Sequence, residues 1–112
     1  MRIAMPVESG KLVSHFGRCR EFALIDADGA MARVLQITTA VPPPHAPGVL
    51  PAWLREQQVT HVIAAGMGGH AQDMLRRSGI EVVTGAPGGD VADLAIEFLN
   101  GRLQAGANIC SH

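Results

Sequence analysis

Two strand, glycine-loop, helix units stand back to back in the second half of the chain, at residues 59–78 and 80–99, and they constrain the fold more than any other feature. Val59 to Ala65 is apolar apart from Thr60 and His61, the pattern of a strand buried on both faces. Gly66-Met67-Gly68-Gly69 follows, then a helix with Ala71, Met74 and Leu75 on one side and Gly79 as its stop. Ile80 to Thr84 is the second strand. Gly85-Ala86-Pro87-Gly88-Gly89 leads into Asp90, a good N-cap, and Val91, Leu94, Ala95, Phe98 and Leu99 form the buried stripe of a last helix closed by Asn100-Gly101. Crossovers between parallel strands are right-handed, so this half predicts an α/β architecture.

The first half reads as an antiparallel meander. Arg2 to Val7 is a short buried strand with Pro6 near its exit, Glu8-Ser9-Gly10-Lys11 turns the chain, Glu21 to Asp26 is a second strand, Asp28-Gly29 supplies a tight turn, and Ala32 to Ile37 is a third. Thr38 to Pro47, with Pro42, Pro43, Pro44 and Pro47, predicts an extended connection that excludes helix or ladder. Val49, Leu50, Trp53 and Leu54 then recur at helical spacing, giving a short helix to Gln57 or Gln58. Joined to the second half, this predicts a five-stranded mixed sheet of order 3-2-1-4-5, with only the second strand antiparallel and helices on both faces. The first and fourth strands are then neighbours whose connections leave toward opposite sides, which opens a crevice beyond their carboxyl ends. The loop after the first strand and the Gly66 to Gly69 loop after the fourth would both reach it.

A chain of 112 residues fits one domain, 1–112, of which 102–112 has little periodicity and is expected to be a mobile tail. The formal charge of -1 gives no global pull toward nucleic acid or anionic membrane, so any basic site is local. No run of about 18 apolar residues exists, and the opening is too short and too soon broken by Pro6 for a secretory segment; a soluble, cytoplasmic protein is expected. Cys19 and Cys110, far apart in such a chain, are then expected as reduced thiols.

The densest chemistry lies in His15-Phe16-Gly17-Arg18-Cys19, where an imidazole, a guanidinium and a thiol flank a Gly that lets the backbone bend. Gly66-Met67-Gly68-Gly69-His70-Ala71 satisfies a loose G-x-G-x-x-A, but Thr84-Gly85 stands where a dinucleotide site needs an acidic residue, and no Walker lysine is present. The glycines instead leave amide N–H groups at a helix N-terminus, which favours anions of any kind. Two-metal nuclease chemistry needs clustered carboxylates, and Glu8 stands alone at a strand end. His15, Cys19, Cys110 and His112 would make a Cys2His2 metal set, although no C-x-x-C pair supports it. His45 and His70 sit near loops, whereas His61, inside a strand, reads as a satisfied core or edge histidine.

His15-Phe16-Gly17-Arg18 followed by Phe22 and Asp26, Val62 to Gly68 with Ala71 and Leu75, Gly79-Ile80-Glu81-Val82, Gly85-Ala86, Leu99-Asn100-Gly101 and the late Cys110-x-His112 together resemble the dinitrogenase iron-molybdenum cofactor biosynthesis family. The resemblance spans nearly the whole chain. It is strongest to small stand-alone members, including those that bind a molybdenum-copper cluster. It implies a ribonuclease H-like, three-layer fold without nuclease residues, no catalytic residues, and a carrier role for an anionic metal-sulfur cluster, either a molybdenum-copper sulfide or the iron-molybdenum cofactor or its precursor. It also implies cluster contact at His15. A soft, multiply charged anion can be held by charge, N–H groups and apolar contact, which suits Phe16, Gly17, Arg18, Arg20, Gly66, Met67, Gly68, Gly69 and His70; His15 and Cys19 could add direct bonds. A protein that donates or receives the cluster is an expected partner. The competing readings are an adaptor using the same loops to bind a protein partner, and a phosphate or nucleotide binder.

Overall fold

Strict alternation along β1 (Arg2–Glu8) defines two faces of a sheet, because successive side chains in a strand point to opposite sides. In the computed structural model, which describes residues 1–13, 20–44, 46 and 48–103, Ile3, Met5 and Val7 enter one core cluster and Ala4 faces the other. The remaining elements are β2 (Lys11–Leu12), β3 (Glu21–Asp28), β4 (Arg33–Ala40), α1 (Val49–Glu56), β5 (His61–Ile63), α2 (Gly69–Arg77), β6 (Glu81–Val83) and α3 (Val91–Leu99). The described residues form a mixed α/β fold with one six-stranded sheet. Its hydrogen-bonded path is β4-β3-β1-β5-β6, with β2 paired to β1 off that path.

β3 runs antiparallel to both β1 and β4, while β5 runs parallel to β1 and β6 parallel to β5. On one face Val91, Leu94 and Ala95 of α3 cover Ile3, Met5, Ala23, Ile25 and Ile63. On the other, Leu54 of α1 and Leu75 of α2 cover Ala4, Phe22, Leu24, Val62 and Ala64. Phe22 meets Trp53 with ring centroids 5.7 Å apart and planes at 53°, tying β3 to α1 through a tilted aromatic pair. None of the described helices, each eight or nine residues long, is long and apolar enough to cross a membrane.

The structure corrects the expected sheet in three places. A sixth strand, β2, follows a tight hairpin in which Ser9 and Gly10 both take positive φ, 53° and 79°. β4 continues through Thr38 to Ala40, so the proline-rich connection begins later than expected. This is physically reasonable, since a proline constrains only itself and the residue before it, and Pro42 leaves Ala40 free to pair with Phe22. The regular parts of the two late strands shrink to His61–Ile63 and Glu81–Val83, although the backbone bonds from Ala64 to Val83 and from Glu81 to Thr60 extend their contact. Of the expected tail, Arg102 is held by the Glu97 carbonyl and Leu103 packs on the α3-side core; residues 104–112 lie outside the described residues.

One polar cluster locks the edge of this core. Arg2 donates through Nε to Asp26 Oδ1 at 2.7 Å and through Nη2 to Oδ2 at 3.2 Å, and its Nη1 reaches the Gln57 carbonyl at 2.7 Å, beyond the end of α1. The hydrogen bond from Arg2, more than its charge, holds the Asp26 carboxyl below its ordinary range despite the opposing effect of burial. Because the folded state lowers this pKa, the associated stability is present above the unfolded value of about 3.9 and disappears as pH falls through the folded one. Asp26→Asn is therefore expected to lose about 1 kcal/mol at neutral pH, the pair being roughly a third exposed. Urea titrations should show the gap to wild type closing below about pH 4.

Candidate functional site

The site is built by the parallel pairing of β1 with β5, at Ile3↔His61 and Ala4↔Val62, which places the carboxyl ends of both strands on one rim. At that rim the chain leaves β1 by the β2 hairpin and returns into β3. Val7 pairs with Leu12 on one side and with Glu21 on the other, and the Val13 amide donates to the Pro6 carbonyl at 3.1 Å. The residues between Val13 and Arg20 thus join two stems fixed on opposite sides of the end of β1. His15, Phe16, Gly17, Arg18 and Cys19 lie in that interval, outside the described residues; Arg20, at the return, is exposed.

A clasp from the far end of the sequence holds the first stem. The Leu12 amide donates to the Gly89 carbonyl at 2.8 Å, the Val91 amide donates to the Gly10 carbonyl at 3.1 Å, and Lys11 forms an antiparallel bridge with Asp90. A two-residue strand has no periodicity to reveal it in the sequence. The Ser9-Gly10 turn was the one visible sign.

Beyond β5, the glycine loop opens on the same rim. Gly66 is buried, Gly68 and Gly69 are half-buried, and His70, in the first turn of α2, is exposed. Met67 is 2% exposed and packs in the α1/α2-side core, and its carbonyl accepts a 3.0 Å bond from Gln72 Nε2. The two helices that follow parallel strands differ at their starts. α3 is capped by its own carboxylate, with Asp90 accepting from the Ala92 amide at 2.9 Å and Asp93 adding a second acid in the first turn. α2 begins at Gly68 with no side-chain cap and no acid in its first turn. Among the described residues no side chain caps its N-terminal amides, which lie at the positive end of the helix dipole.

The other candidates fall elsewhere. His61 lies at the amino end of β5, on the opposite rim, with Nδ1 2.7 Å from Thr60 Oγ1, Nε2 3.1 Å from Glu81 Oε2 and its ring edge-on to Phe98. It is a satisfied histidine. α3 starts beside Gly10 and ends beside His61, so it runs antiparallel to β1 and delivers Leu103 toward the rim away from the crevice. Cys110 and His112, like His45, lie outside the described residues. Among the described residues no three His, Cys, Asp or Glu side chains converge as a metal site.

Comparison with known proteins gives a consistent picture. Residues 1–101 match the family described as dinitrogenase iron-molybdenum cofactor. The crystal structure of PH0822 is 30% identical, with a TM-score of 0.84 and 94% of each chain covered. The apo orange protein of Desulfovibrio gigas shares the fold, with a TM-score of 0.77 at 23% identity over 96% of this chain and 93% of that one. An uncharacterized protein of Methanocaldococcus jannaschii, MJ0580, is 28% identical over 107 residues, covering 93% of this chain and 90% of its own.

The contrast between the two helix starts can be measured. Gly68 has φ -63° and ψ 151°, close to the -65° and 130° of Asp90, and nothing lies within 4 Å of a Cβ built there. Gly68→Asp is expected to raise stability by a few tenths of a kcal/mol, whereas Asp90→Ala should lower it by about 1 kcal/mol. Chemical denaturation of the two variants reads both signs.

Proposed function

The chain belongs to the dinitrogenase iron-molybdenum cofactor family, and from that premise we propose that it is a non-enzymatic carrier of an anionic molybdenum-containing metal-sulfur cluster, of iron-molybdenum or molybdenum-copper sulfide type. The observation that carries this reading is the uncapped, acid-free start of α2, open on the same rim as the two stems of the His15 loop. Such a cargo is large, soft and multiply charged. It can be held by outward amides and guanidinium groups without being fully stripped of water.

In this reading Gly66, Gly68 and Gly69 supply close backbone approach, and Met67 contributes main chain only. Arg18, Arg20 and His70 add charge-assisted or polar contacts, Phe16 an apolar wall, and Gly17 the bend that lets His15 and Cys19 reach the same ligand. His15 and Cys19 supply direct bonds to metal or sulfide. Cys110 and His112 contribute less, because binding through them would have to order the segment after Leu103 at roughly 1 to 2 kcal/mol per residue. We read the sheet path, with its one long antiparallel strand β3, as a ribonuclease H-like arrangement, and the cargo as exchanged with a protein partner in the cytoplasm.

Anaerobic reconstitution with thiomolybdate and copper, or with the iron-molybdenum cofactor, followed by desalting, tests this assignment. The charge-transfer bands should stay with wild type and with a chain truncated after Gly106. They should be lost from His15→Ala and weakened about ten-fold or more in Arg18→Ala. Gly68→Asp, which puts a carboxylate where the anion would sit, should fold and fail to retain the cluster. A wild-type protein that stays colourless overturns the carrier assignment; a truncation that loses the cluster while His15→Ala keeps it makes the tail thiol the ligand and overturns the role given to the His15 loop.

A further inference from the structure

β4 closes one side of the sheet. It is hydrogen-bonded to β3 from Phe22↔Ala40 to Asp28↔Arg33, and among the described residues no strand pairs with its outer edge. Long open edges are normally blunted by lysine, proline, an inward charge or a bulge. β4 has one such device, the irregularity opposite Asp26 and Ala27, confined to its first third. From Gln36 to Val41 the chain reads Gln-Ile-Thr-Thr-Ala-Val, without charge or proline, and its pairing with β3 is regular through Ala40. Leu35 and Val41 are 62% and 74% exposed, and Ile37, opposite the buried Ile25, is 40% exposed. The other edge strand, β6, is only three residues long.

We propose that this edge seats a two-fold homodimer in which β4 pairs antiparallel with β4 of a second copy. Self-complementarity selects this occupant. An axis at Thr38 sets Thr38 against Thr38, Ile37 against Thr39 and Gln36 against Ala40, and every contact off the axis occurs twice. The exposed apolar side chains of Leu35, at the irregularity, and Val41 flank this ladder at its two ends, no charge opposes a like charge, and Arg33 falls outside the paired segment. A single strand pair is a small interface beside those of stable dimers, so the association is weak and reversible. β4 runs parallel to β1, so an antiparallel β4 pair points the two crevices in opposite directions and leaves both uncovered.

Sedimentation velocity of the full chain from about 5 µM to about 1 mM tests the dimer. Wild type should move from monomer to dimer, and Leu35→Lys/Val41→Lys should stay monomeric with an unchanged circular dichroism spectrum and melting temperature. Thr38→Cys, in a Cys19→Ser/Cys110→Ser background, should cross-link under mild oxidation several-fold more than Asp73→Cys on α2. A wild type that remains monomeric throughout, or a dimer insensitive to the paired lysines, overturns the proposal. So does a chain truncated after Leu103 that dimerises where the full chain does not, because the edge would then belong to the chain's own carboxyl-terminal segment. None of these measurements depends on the cargo.

Discussion

Everything in this molecule hangs on the parallel pairing of β1 and β5. Thr60 reinforces it, its amide donating to the Arg2 carbonyl at 2.9 Å and its hydroxyl accepting from the Arg2 amide at 3.0 Å. Parallel neighbours cannot be joined by a short turn, so the chain between them must cross a face of the sheet. Here it runs through β3, β4 and α1 before returning. That detour puts two loops of unrelated sequence position on one rim. It also makes β1 the most enclosed strand, since it bonds to β2, β3 and β5 and has five consecutive buried residues.

The two strand-loop-helix units then divide the work. Both have glycine-rich loops, and composition alone would make them equivalent anion cradles. Asp90 breaks the equivalence: its carboxylate occupies the N-terminus of α3, and the backbone around it is committed to the β2 stem. The 85–90 loop supports the β2 stem, and the 66–69 loop opens the uncapped helix beyond β5.

Long periodic segments were legible in the sequence: the apolar stripe of α3 ends where expected, and the strand beginning at Glu21 and the glycine-loop helix α2 lie where hydrophobic spacing places them. What was not legible depended on distant partners. β2 exists because Gly10 and Leu12 find Gly89 and Val91, which no local pattern encodes. Met67 reads as a ligand-loop residue beside three glycines, yet it is buried in the core cluster that also holds Leu54 and Leu75, where an unbranched side chain adapts to the space available. β4 outruns its expected end because Thr38 and Thr39 suit a pleated ladder, and the influence of Pro42 is local. The His15 motif carries its meaning in residue chemistry; the fold contributes the fixed ends from which it is held.

The clasp between β2 and residues 89–91 joins positions separated by most of the described chain, and contacts of that kind form late because the intervening loop must close first. A chain emerging from the ribosome can pair β1 with β3, and later with β5, before α3 exists, but it cannot secure the β2 stem. The rim at the end of β1 is therefore secured only once α3 is made. A chain that has not yet reached residue 91 can have a paired sheet and still an unsecured β2 stem, so the end of β1 is fixed on that side in one late step.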